Sequence, residues 1–218
     1  MATAEQKRGI RLTVFVVVLV IALIVALTVF NTMRSDAPTL SDDELQEKGV
    51  LLLQTPRQFS GVSLIDESGD AFTEEELQGQ WSILFFGFTH CPDICPMTLA
   101  DMNRLVEGLT EEERERLQVV LVTVDPERDT PEQLRQYVRY FNPEFTGLTG
   151  DPNMIYRFAT ELGIAYNKVE QGESYTMDHT SSLVIINPRG HFHGYIRPPL
   201  DPAQLRTAWR SMDRTFPN

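Results

Sequence analysis

Ile83-Leu-Phe-Phe-Gly-Phe88-Thr-His-Cys91-Pro-Asp-Ile-Cys95-Pro96 is the stretch of this 218-residue chain that sets its fold class. Its first six residues are apolar without alternation, the pattern of a central strand covered on both faces. Thr89 and His90 follow, then a short turn holding two cysteines. Pro96 then opens a helical pattern over residues 97–109. Strand, turn and helix in that order put both thiols at the carboxyl end of a strand and beside a helix N-terminus. Unpaired N–H groups there favour thiolate over thiol.

Cys91 and Cys95 are the only cysteines. Four residues apart on a helical turn, they share a face, with Cβ atoms about 5–6 Å apart. Sulfurs so placed can close a disulfide after a small adjustment. They can also cycle as a redox pair, or hold one soft metal ion, copper(I) or zinc, with help from a further ligand. A purely structural bridge is the weaker reason for the pair, because closing so short a loop constrains the unfolded chain little.

Outward from this centre the pattern is α/β. Val119–Val124 is a second apolar strand without alternation. Thr130-Pro-Glu-Gln133 carries a cap, a proline at the first helical position and a glutamine at the third, and starts a helix to about Phe141. Asp151-Pro152 starts another, through Leu162. Ser182–Ile186 reads as a strand, turned by Asn187–Gly190 into His191–Ile196, and Asp201-Pro202 opens the last helix. Towards the N-terminus, Glu67-Ser-Gly-Asp70 is a hairpin turn between Val62–Ile65 and Ala71–Phe72. Thr73-Glu-Glu-Glu76 is a capping box. This order predicts a thioredoxin-like fold with a mixed central sheet, the cysteine loop following the first core strand.

Leu12 to Phe30 carries no charge and only Thr13 and Thr28 as polar residues. That run is long enough to span a bilayer. Lys7, Arg8 and Arg11 precede it, while Asp36, Asp42, Asp43 and Glu44 follow. The positive-inside rule then predicts a cytoplasmic tail (1–11), one transmembrane helix (12–30), a stalk (31–57) and a single domain (58–218) across the membrane. The run is too long for a typical cleaved signal core, so the anchor is expected to stay. Leu51–Leu53 is open to two readings, docking on the domain or pairing as a first strand. Net charge is −12, and of the acidic residues only Glu5 precedes the anchor. Nucleic acid, which demands a basic footprint, is excluded as a partner.

The run Phe86–Pro96 resembles the metal-binding motif of the Sco/SenC family of membrane-anchored copper proteins. Val124-Asp-Pro-Glu-Arg-Asp-Thr-Pro131, Asp178-His-Thr180 before a strand, and the N-terminal anchor resemble the same family in the same order, and the resemblance covers essentially residues 55–212. The resemblance implies copper, as copper(I) or copper(II), bound by Cys91, Cys95 and His179. It also implies a role in assembling the binuclear copper centre of cytochrome c oxidase. The partners would be the apo copper-site subunit of that oxidase, other copper carriers and thiol reductants, met in the periplasm at the inner membrane. Met177 stands where a small aliphatic residue is more usual in the family, and Thr180 where serine is common. Neither change touches a donor atom.

Asp178, Asp125 and Asp129 are candidates for a supporting role. Asp178 could orient the His179 ring. Asp125 and Asp129 flank Arg128 after a core strand, where an ion pair beside the site is the simplest expectation. Asp93 is expected at the surface, as an aid to partner docking, and Met177 as packing. His90 reads as a loop residue without a ligand role, and His191 and His193 as a solvated strand face. Three functions compete. A metallochaperone would need His179. A thiol–disulfide oxidoreductase acting through a mixed disulfide would not, and C-x-x-C is its commoner spacing. A peroxidase would leave the second cysteine and His179 unexplained.

Overall fold

The computed structural model describes residues 4–35, 39–172 and 174–216; side chains at 4–13 and 30–35 lie outside the description. Two compact units result, residues 1–39 and 40–218. The first is a helix, α1 (Ala4–Ser35). It contains the uncharged run expected to cross a membrane, and its apolar side chains from Val14 to Val29 are exposed. Among the described residues no helix is long and apolar enough to cross a membrane. The expected anchor at 12–30 reaches past the described side chains at both ends, and Asp36 lies outside the described residues.

The second unit begins at Leu40, earlier than the expected boundary at 58. Its elements are α2 (Asp42–Glu47), β1 (Val50–Arg57), β2 (Leu64–Asp66), β3 (Ala71–Phe72), a 3₁₀ turn (Glu74–Leu77), β4 (Trp81–Gly87), α3 (Ile94–Glu107), α4 (Glu111–Arg114), β5 (Leu117–Thr123), α5 (Pro131–Phe141), β6 (Thr146–Thr149), α6 (Pro152–Glu161), β7 (Tyr166–Gln171), β8 (Ser174–His179), β9 (Leu183–Ile186), β10 (Phe192–Ile196) and α7 (Pro202–Thr215). The correction at 58 has a simple cause. The Leu51–Leu53 run pairs antiparallel with β10, Leu51 opposite Tyr195, so part of the expected stalk is a strand of the sheet.

Eight strands form one mixed sheet in the order β1-β10-β9-β4-β5-β6-β2-β3. β4 runs parallel to β5 and antiparallel to β9. Every residue of β4 is buried, as its unbroken apolar run predicts. Leu84, Phe85 and Phe86 are fully buried, and each side chain contributes roughly 1.5–3 kcal/mol by leaving water. The carboxyl end of β4 is therefore a fixed point. The loop that follows it starts from a fully buried strand.

Helix starts follow the local chemistry. Ser41 with Glu44, Thr73 with Glu76, Thr110 with Glu113 and Thr130 with Gln133 form reciprocal capping boxes. Asp151 and Asp201 cap helices whose first residue is proline. Each cap is worth about 1 kcal/mol. One start differs from expectation. α3 begins at Ile94, not at 97, so Cys95 belongs to its first turn.

β7 and β8 form a separate two-stranded sheet with Tyr166 opposite His179. Sequence reading places no strands there and treats His179 as a loop residue. Tyr175, Met177 and His179 share one face of β8 and are half-buried, while on the other face Ser174 and Asp178 are exposed and Thr176 is half-buried.

Candidate metal centre

The site forms where the loop after β4 meets the end of β8. Phe88, fully buried, fixes the start of the loop, and its carbonyl accepts the Cys91 N–H at 3.3 Å. The chain then turns into α3. Cys91 is half-buried and Cys95 fully buried, both as free thiols. The Cys95 N–H donates to Cys91 Sγ at 3.4 Å, as the first turn of a helix allows. Cys95 Sγ also packs against β4 itself. A Cβ built on Gly87 would stand 2.9 Å from that sulfur and 2.7 Å from the Phe85 ring, so only glycine leaves it room.

His179 ends β8 and turns its ring to the sulfurs. Its Nε2 lies 3.7 Å from Cys95 Sγ. Its Nδ1 lies 3.1 Å from the Thr180 carbonyl oxygen. A carbonyl only accepts, so Nδ1 carries hydrogen. With the ring neutral, Nε2 then presents the lone pair that a metal takes. Phe85 and Phe88 set the ring edge-on, with centroids 5.8 and 6.0 Å from its own. The three donor atoms, two Sγ and one ring nitrogen, lie within 4.8 Å of one another. Among the described residues no other group of three His, Cys, Asp or Glu is so arranged.

The two thiols are unequal. Cys91 lies far below the ordinary thiol range because Cys95 donates to it, with the Asp93 and Cys95 N–H groups adding to the effect against burial. Cys95 is pushed up for the reciprocal reason, since it supplies that hydrogen bond, and by burial. One proton shared by two sulfurs leaves a reachable thiolate at Cys91. Alkylation with iodoacetamide is expected to label Cys91 at pH 6 at nearly its pH 8 rate and to spare Cys95. A free thiol would slow by roughly 75-fold across that range, its pKa being about 8.5. Equal labelling of both cysteines with that ordinary pH profile would sink the assignment.

The other expected residues divide clearly. Asp178 does not orient His179; it is exposed on the opposite face of β8, and the Thr180 carbonyl does that work. Asp129 is fully buried and is no ligand. It accepts from Thr89 N–H at 3.0 Å, Thr89 Oγ1 at 2.6 Å and Thr123 Oγ1 at 2.6 Å, tying the cysteine loop to β5. Asp125 forms the expected ion pair with Arg128 and also accepts from Tyr175 Oη at 2.9 Å. His90 bonds Thr89 Oγ1 at 3.0 Å and lies outside the donor group. Asp93 is exposed, as expected, and Met177 packs on the core. His191 and His193 are not a solvated face. His193 packs edge-on against Trp81 at 5.3 Å and meets Asn187 at 3.1 Å, while His191 meets Gln58 at 3.2 Å. Gly87 and Tyr175 escape a reading of the sequence. A glycine inside a run of large apolar residues was the one available sign for Gly87.

The model of the SCO1/SenC family matches residues 54–212. A Stutzerimonas stutzeri protein named for copper binding is 43% identical over 167 residues, 75% of this chain and 82% of that one. The mitochondrial SCO1 homolog 1 of Arabidopsis thaliana is 40% identical over 131 residues, 60% of this chain and 39% of that protein. Among solved structures, Arabidopsis thaliana ScoI with copper bound superposes with a TM-score of 0.66 at 35% identity, covering 72% of this chain and 99% of that one. Bradyrhizobium japonicum ScoI with copper bound gives 0.65 at 31% identity, covering 73% and 100%. The mixed α/β architecture described above is thus the thioredoxin-like fold of these structures, and the chain belongs to the SCO1/SenC family.

Proposed function

We propose that this chain is a membrane-anchored copper metallochaperone that receives one copper ion on Cys91, Cys95 and His179 and passes it to the apo copper-site subunit of a cytochrome c oxidase. The observation that carries the reading is the convergence of two sulfurs and one imidazole within 4.8 Å. Soft thiolates with an imidazole select copper(I) over hard cations and also accommodate copper(II). Copper here is cargo. The chain's own part is to hold one donor as a thiolate, to orient the ring so that Nε2 faces inward, and to shield the site with Phe85 and Phe88. Transfer then proceeds by ligand exchange with thiols and imidazoles of the acceptor.

Residues 12–30 serve in this reading as a single-pass anchor in the inner membrane. Their uncharged length and the basic flank before them support it. The folded unit then lies in the periplasm, beside the oxidase.

A second reading, a thiol–disulfide oxidoreductase that keeps the acceptor's cysteines reduced, is favoured by the inequality of the two thiols. Cys91 would attack an acceptor disulfide and Cys95 would resolve the mixed disulfide, leaving the acceptor reduced and this chain oxidised. One experiment separates the readings. The reduced full-length chain, loaded with one copper(I), is mixed with a reduced apo copper-site domain, and the metal is followed by chromatography. Movement of copper that the His179→Ala variant cannot support is the expected result. No transfer, together with rapid reduction of an oxidised acceptor by the copper-free chain, would make the second reading the leading one.

A further inference from the structure

β8 carries His179, yet β8 pairs only with β7 and takes no part in the eight-stranded sheet. β7 is exposed along almost its whole length. Sheet hydrogen bonds therefore hold the hairpin together without fixing its place against the cysteine loop. The bond from Thr180 N–H to the Ala165 carbonyl at 2.9 Å only extends the hairpin's own ladder. Four residues before the histidine, on the same strand face, Tyr175 attaches the hairpin to residues 125–128.

That attachment is dense. Tyr175 Oη donates to Asp125 Oδ1 at 2.9 Å, and Arg128 Nη1 donates to the Tyr175 carbonyl oxygen at 3.2 Å. The Arg128 guanidinium lies 3.8 Å from the Tyr175 ring centroid, and Lys168 Nζ lies at the same distance. Lys168 also pairs with Glu127 at 3.1 Å. Asp125 is buried and bonded to Arg128, so the receiving side is stiff. The same short loop holds the other half of the site, because its Asp129 anchors Thr89, two residues before Cys91. Residues 125–129 thus grip the cysteine loop at one end and the histidine hairpin at the other.

We infer that Tyr175 is a positioning residue, which through Asp125 and Arg128 sets the register between hairpin and cysteine loop that lets His179 reach the two sulfurs. The inference rests on the copper reading for its consequence, while its geometry stands apart from any metal. Removing the ring removes the cation stack and the Oη bond together, and leaves the Arg128 bond to the backbone carbonyl of residue 175, the Lys168–Glu127 pair and the packing of Met177 to hold the hairpin. Supporting groups of this kind typically change metal affinity by about 10–100-fold.

The test uses the full-length chain as wild type, Tyr175→Ala and Tyr175→Phe. In the copper-free protein, proton NMR contacts between the His179 ring and the Phe85 and Phe88 rings are expected in wild type and lost in Tyr175→Ala. Tyr175→Phe keeps the stack and is expected to retain them. Hydrogen exchange of β7 and β8 amides is expected to stay protected in all three. Copper(II) is then added, and the nitrogen hyperfine splitting from His179 is read by electron paramagnetic resonance. Weakened splitting and an affinity lower by about 10–100-fold in Tyr175→Ala are expected. Unchanged ring contacts in Tyr175→Ala would overturn the inference, as would loss of β7–β8 protection, which would make Tyr175 a folding residue only. A wild type that lacks a His179-dependent copper signal overturns the copper reading instead and leaves the ring-contact result to decide the role of Tyr175.

Discussion

His179→Ala is expected to lower copper affinity by more than ~100-fold and to cost the fold no more than about 1–3 kcal/mol, the worth of the two edge contacts it removes. The first half follows from the size of lesser effects: groups that merely support a ligand cost about 10–100-fold, and His179 supplies a donor atom itself. The second half follows from placement. β8 lies outside the main sheet, and the ring is half-buried. What the fold loses is the edge contact with Phe85 and Phe88, about 0.5–1.5 kcal/mol for such a pair. A competitive titration with a copper(I) probe, run beside urea unfolding, checks both halves. Wild-type affinity in the variant would remove the histidine from the site. A large fall in stability would mean that the ring serves the core.

Gly87→Ala is expected to fail in the opposite way, damaging fold and site together. The added methyl would stand 2.7 Å from the Phe85 ring and 2.9 Å from Cys95 Sγ. Neither neighbour has solvent to retreat into, since both are fully buried. Gly87 does not have a positive φ, so its backbone suits alanine and the cost is steric. Overpacking of this kind costs about 1–3 kcal/mol. Relief comes most readily from a shift of α3, whose first turn carries Cys95, and that shift pulls one sulfur away from the other two donors. Urea unfolding with a parallel copper titration reads both losses. An alanine variant with wild-type stability and stoichiometric copper binding would show that the sulfur has room to spare.

The central strand and the cysteine turn were legible because each announces itself, whereas His179, one of four histidines, was singled out by the resemblance to the Sco/SenC family. An apolar run without alternation has few uses other than a covered strand, and the cysteines have no competitors in the chain. The hairpin β7–β8 was not legible. Tyr-Asn-Lys-Val-Glu-Gln and Ser-Tyr-Thr-Met-Asp-His are mostly polar on both faces. Backbone hydrogen bonds hold their pairing, and charges and one ring help to place the hairpin against residues 125–128, contacts to which hydrophobic periodicity is blind. The same blindness exchanged Asp178 for Thr180. Adjacent residues on a strand face opposite ways, and without the strand an adjacent carboxylate is as good a partner for the ring as any. β1 failed at the boundary for another reason. Three consecutive leucines do not say whether they pair or dock, and only β10 decides it.

The unequal exposure of the two sulfurs imposes a direction on departure. An incoming ligand meets the half-exposed Cys91 first, because Cys95 is sealed beneath the first turn of α3 and against Gly87. In the proposed copper reading, an ion held on both sulfurs would leave Cys91 before Cys95 and enter by the reverse route. A partner that cannot offer its own sulfur or imidazole on the Cys91 side finds the door shut however tightly it binds elsewhere. In that reading, recipients would be sorted by the order of steps.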